Sequence, residues 1–183
     1  MKSSEKIAKI LDFWFVECHP SQWFKKDEKF DSLLASLFKV DVEKALIGAL
    51  SHWTNSEEGI QALILLLDQF TRNIFRNQPR SFSGDPVALS LSFLTVQRNF
   101  LMKSNNERCH FMLMPMMHQE DLVVQNQSLP LFKKFTSKKA HQAAIKHRNV
   151  IKIFGRFPHR NSILGRISTD KELEFLKKPG AKF

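Results

Sequence analysis

The sequence predicts an all-α protein. Apolar residues recur at helical spacing through most of the chain, helix caps and breakers punctuate those stretches, and no segment shows the sustained alternation of a strand. Short polar turns between such segments favour antiparallel helix pairs, so the expectation is one compact domain over residues 1–183 with about seven to nine helices.

The elements follow in order. In "KIAKILDFWFVE", Ile7, Ile10, Leu11, Trp14 and Phe15 fall at helical intervals after a capping Ser3 or Ser4, and Pro20 breaks the helix. Asp27 opens a second helix whose apolar stripe is Phe30, Leu33, Leu34, Leu37 and Phe38. "KVD" is expected to separate it from a short helix, "VEKALIGAL". "TNSEEGIQALILLLDQFTRNIFR" reads as one helix, with Thr54 or Asn55 as N-cap and Glu57 and Glu58 near the positive dipole end. Residues 62–67 are apolar all round, which places this helix at the centre. Asp85 reads as the cap of the next helix, with Pro86 at its first position. Asn106 reads as the cap of "ERCHFMLMPMMH", which Pro115 should kink or end. The helix after it should bend or break at Pro130, while Ser137 and Gly155 bracket "KKAHQAAIKHRNVIKIF". Thr169 and Glu172 form a capping box for a last helix, after which "PGAKF" should fray.

Composition narrows the function classes. At 43% hydrophobic residues, 183 residues can bury a core without a metal or disulfide staple. Cys18 and Cys109 have no CxxC neighbour and read as buried thiols of a reducing cytoplasm. The N-terminal segment is charged throughout, unlike a secretory signal, and the densest apolar run, residues 62–67, is far too short to span a bilayer. The net charge of +10 invites a nucleic-acid reading, but the lysines are scattered in pairs and no RNP, KH, zinc-finger or phosphate-loop pattern occurs. Nucleic acid is therefore disfavoured as a partner, and no cofactor or metal is indicated.

Three polar constellations stand out. In "LLLDQFTRNIFR", Asp68, Arg72 and Arg76 are spaced i, i+4, i+8 on one face, with Gln69 and Asn73 beside them, where a fully apolar helix enters a polar pocket or the surface. In "PMMHQEDL", His118 and Glu120 follow a proline; two residues apart, they do not make a zincin pattern. In "IFGRFPHRNSILGR", Arg156, His159, Arg160, Asn161 and Arg166 lie in a loop with no carboxylate close in sequence. Buried arginine needs a counter-charge, and Asp68, Glu120 and Asp121 are the obvious internal candidates.

These motifs carry a family resemblance. "ILDFWF", "WFKKDEKFD", "LILLLDQFTRNIFR", "MLMPMMHQEDL" and "IFGRFPHRNSILGRIST", in this order, resemble the bacterial domain of unknown function 924 family over nearly the whole chain. The resemblance implies a helical fold similar to tetratricopeptide repeats and brings no established activity. Its polar motif positions fall on Asp68, Gln69, Arg72, Asn73, Arg76, His118, Glu120, Arg156, His159, Arg160, Asn161 and Arg166. Leu113, Met116 and Gln119 depart from the family pattern of Tyr, an aromatic and Ser, removing hydrogen-bonding groups beside His118.

Three readings follow. Asp68, Arg72, Asn73, Arg76, Arg156, Arg160 and Asn161 could line a pocket for a small carboxylate or phosphate, with His118, His159 and Glu120 as acid–base candidates. The helical array could instead clamp a peptide. Or the arginines and acids could simply staple the loop to the bundle.

Overall fold

In the computed structural model, which describes residues 2–181, the helices begin where side chains satisfy their first N–H groups. Asp27 accepts from Lys29 and Phe30 at the start of α2 (Glu28–Leu46), and Ser56 accepts from Gly59 at the start of α3 (Glu57–Ile64). Helix α1 (Ser3–Asp12) precedes them and widens into a π segment, Phe13–Glu17. Helix α3 continues without a break through a second π segment, Leu65–Phe70, into α4 (Thr71–Ile74). Then come α5 (Asp85–Gln97), α6 (Asn106–Met117), α7 (Leu122–Phe135), α8 (Lys138–Phe154) and α9 (Asp170–Leu176). No strand occurs among the described residues, and no helix there is long and apolar enough to cross a membrane.

The helix at residues 57–74 is the spine. Every residue from 59 to 71 is buried, including Asp68 and Gln69. It packs against α1, α2, α5 and α6, while α6, α7 and α8 stack in succession. One apolar cluster runs from Ile7 to Ala144, with the aromatic group Trp14, Phe38, Phe70 and Phe111 at its centre. A smaller cluster of Val150, Ile151 and Phe157 seats the loop after α8.

Several expectations need correction. Helix α2 runs straight through "KVD", because Phe30, Leu34, Phe38, Val42 and Ala45 continue one buried stripe; Leu33 and Leu37 lie outside it and are exposed. The caps are Ser56 rather than Thr54 or Asn55, and Asn105 rather than Asn106. Gly84 occupies the N-cap of α5, which leaves the Asp85 side chain for another use. Pro130 does not interrupt α7: it and Asn126, whose carbonyl loses its helical partner there, are both exposed. Helix α6 continues past Pro115 to Met117, and the Ser92 hydroxyl donates to the nearby Met112 carbonyl at 2.6 Å. Ser137, Gly155 at φ 70°, and the Thr169–Glu172 capping box stand as expected. Ala181 is buried; Lys182 and Phe183, the end of the segment expected to fray, lie outside the described residues.

Candidate functional site

The π segment places an acid in the core. Asp68 is fully buried at the point where the central helix widens, and π-bulges often mark functional positions. Nearby side chains serve the carbonyls of this stretch: Thr71 Oγ1 donates to the Leu67 carbonyl at 2.8 Å, and Arg72 Nη1 to the Asp68 carbonyl at 2.7 Å. The Asp68 carboxylate faces His118 Nδ1 at 2.7 Å, accepts from Gln69 Nε2 at 2.5 Å, and lies 3.0 Å from Arg72 Nη1. Burial pushes this carboxyl up, but Arg72 and His118 outweigh that and hold it well below the usual carboxylate range.

His118 sits at the end of α6, in a turn pinned by Gln125, whose amide donates to the carbonyls of Met117 at 2.6 Å and Gln119 at 2.9 Å. Nδ1 is committed to Asp68, so Nε2 is the ring atom that can exchange a proton with a ligand. Burial holds its pKa below the ordinary histidine value, reinforced by Arg72 and Arg160 and opposed by Asp68. His118 is therefore neutral at pH 7, an imidazole oriented by a buried carboxylate.

Two arginines complete the group. Arg72 grips Asp85 in a two-pronged contact, Nη1 to Oδ1 at 2.9 Å and Nη2 to Oδ2 at 3.1 Å. Arg160 comes from the loop after α8, is 7% exposed, and lies between the rings of Phe82 and Phe157, 4.8 and 4.6 Å from their centroids. Its Nη1 is 3.6 Å from Asp85 Oδ2, too far for a good hydrogen bond, and its buried Nε has no hydrogen-bond partner. Burial, together with Arg72 close by, pulls the Arg160 pKa down to about 10.

The other sequence candidates go elsewhere. Arg76 lies beyond the end of α4, so helical spacing no longer sets its direction; it and Asn73 both donate to Asp31 of α2. Arg156 turns toward α9, donating to Glu172 at 2.7 and 2.8 Å. Glu120 is occupied by Arg166, at 2.5 and 2.9 Å, and by the Phe157 N–H at 2.7 Å, so it fastens the loop instead of orienting a histidine. Asn161 is buried and donates to Ser168 Oγ at 3.0 Å. His159 packs against Phe157, and burial with Arg160 beside it lowers its pKa to about 4. Asp121 caps α7. Of the three departures from the family pattern, Leu113 and Met116 are buried in the core, and Gln119 donates to the Pro115 carbonyl.

Asp85, Asp31 and Glu172 are the acids that sequence reasoning missed as partners of these arginines. Asp85 was hidden by the "GDP" turn, which reads as a cap, and Glu172 by its own capping box. Burial pushes the thiols of Cys18 and Cys109 up to about 11, so neither is a nucleophile at neutral pH. Among the described residues no cluster of His, Cys, Asp and Glu is arranged to hold a metal.

Comparison with known proteins agrees with this fold. A solved structure of a protein of unknown function from Agrobacterium tumefaciens is 32% identical, with a TM-score of 0.91 over 96% of this chain and 99% of that one. No curated protein matches. The family described as bacterial protein of unknown function, DUF924, matches residues 10–180, and the chain belongs to it.

Proposed function

We propose that Asp68, Arg72, Asp85, His118 and Arg160 form a binding site for a small anion, with His118 Nε2 as its acid–base group. One observation carries this reading: Arg160 is nine-tenths buried yet has an unpartnered Nε and a single loose ion pair. A buried guanidinium with unused donors is costly, and a carboxylate or phosphate oxygen would complete it. The adjacent Asp–His pair has the arrangement of a general base, in which the carboxylate fixes the tautomer and leaves Nε2 to act. Arg72 brings the group to the surface, its side chain 20% exposed.

Glu120, Arg76, Arg156 and Arg166 serve a different purpose on this reading. Their two-pronged pairs tie α2 to α4, α9 to the loop, and the loop to the His118 turn. They are staples that hold the binding residues in register. The peptide-clamp reading needs exposed asparagines, and Asn73 and Asn161 are buried. We place the protein in the cytoplasm on the strength of its two buried, free thiols.

Thermal denaturation tests the proposal. Formate, acetate and inorganic phosphate, compared with chloride at equal ionic strength, should raise the wild-type Tm. The rise should vanish in Arg160→Gln and persist in Arg156→Gln. Equal shifts in all three proteins would remove the site from consideration.

A further inference from the structure

The charge balance of the cluster bears on what it binds. Asp68 and Asp85 face Arg72 and Arg160, two negative charges against two positive, with a neutral His118 between them. Other elements add little net charge. Helix α6 contributes His110, and burial, with His118 also nearby, lowers its pKa to about 4. Helix α8 contributes His147, its ring 6.2 Å from that of His118, with Nδ1 donating to the Ala143 carbonyl and a pKa lowered by burial to about 3. The loop contributes His159, also neutral at pH 7, and Glu120 is already matched by Arg166. The buried group is therefore electroneutral before any ligand arrives.

We propose that the site takes up one proton with each anion it binds, so that its ligand is a small monocarboxylate held by Arg160 and a protonated His118. This rests on the site reading above. A lone anion entering a neutral buried cluster would leave one unbalanced charge, which low-dielectric surroundings penalise. His118 is the group placed to correct it. Its Nδ1–H already donates to Asp68 at 2.7 Å, so a proton from solvent on Nε2 gives an imidazolium with a carboxylate on each side. No other bond forms or breaks. A dianion would require a second proton on His147 or His159, both of which the positive neighbours and burial disfavour. Phosphomonoester dianions are accordingly the poorer ligands.

Calorimetric titration of the protein with acetate, in buffers of differing ionisation heat, reads the proton directly. At pH 8 the expected result is uptake of about one proton per acetate bound. The apparent Kd should rise about tenfold per pH unit above the titration of free His118 and level off only above that of the bound group. In His118→Asn, whose amide can still donate to Asp68, acetate binding should be weaker and independent of pH. Acetate that binds with the same Kd at pH 6 and pH 8, and with no proton uptake, would overturn the coupling and leave the anion site standing. Formate, acetate and phosphate that neither bind nor shift the Tm at any pH would overturn both.

Discussion

At the scale of single residues, the site depends on a carboxylate that would be intolerable alone. Asp68 is fully buried and is held ionised by Arg72, His118 and Gln69. Removing one member of such a group strands the others. Asp68→Ala should cost about 3–5 kcal/mol of stability, measured by urea denaturation, because it leaves Arg72 partly uncompensated and releases His118. Asp121→Ala should cost only about 1 kcal/mol, since that side chain accepts from Val123 and Val124 at the α7 N-terminus and does nothing else to the site. The contrast matters because the two acids, read in sequence, were equal candidates to hold the loop arginines. The sequence offers Asp68, Arg72, His118 and Arg160 as candidates, and the fold brings them together around Asp85. It could not name Asp85, because a cap and a salt-bridge partner look identical in the string "SGDP".

At the scale of elements, the period of the central helix was legible, and so were the ends with a lone capping signal, at Asp27, Ser137, Gly155 and Thr169, whereas ends with competing cap residues or none were not. The buried spine followed from residues 62–67 being apolar on every side, and it is buried from residue 59 to residue 71. The i, i+4, i+8 face failed at Arg76 because the helix ends at Ile74, and no periodicity marks that end. Gly84 shows how close packing sets the site. A Cβ there would collide with the Leu67 carbonyl, so the start of α5 can lie directly on the π segment and bring Asp85 to Arg72. Gly84→Ala should therefore cost about 1–3 kcal/mol by forcing the two helices apart. It should also weaken anion binding, although Gly84 is not a site residue; an unchanged acetate-induced Tm shift in this variant would separate the packing from the site.

At the scale of the whole molecule, the buried histidines and the paired acids set the response to pH. His110, His147 and His159 have pKa values of about 4, 3 and 4 when folded, whereas an unfolded histidine titrates near 6.5. The unfolded chain thus binds more protons across this window, so stability should be full above about pH 6.5 and fall steadily toward pH 3. The carboxylate contribution goes later. Arg156 and the Thr169 N–H hold Glu172 down at about 2, against an ordinary value near 4.3, so its share is present above that ordinary value and disappears as the pH falls toward 2. Urea midpoints between pH 8 and pH 2 should trace these two stages, and His147→Phe should flatten the first.

If an anion meets Arg160 and His118 in a prepared site, ring nitrogen NMR reports on that contact without an intermediary. Long-range nitrogen–proton spectra of the uniformly labelled protein, with the His118 signals assigned by their loss in His118→Asn, can be followed during an acetate titration at pH 7. His118 Nε2 is expected to move toward the protonated shift while Nδ1 stays protonated, and Arg160→Gln is expected to abolish the change. His118 resonances that remain still while acetate is raised to the highest soluble concentration, with no acetate-induced Tm shift either, would refute the anion site, and would leave the five residues as a staple between the loop and the spine.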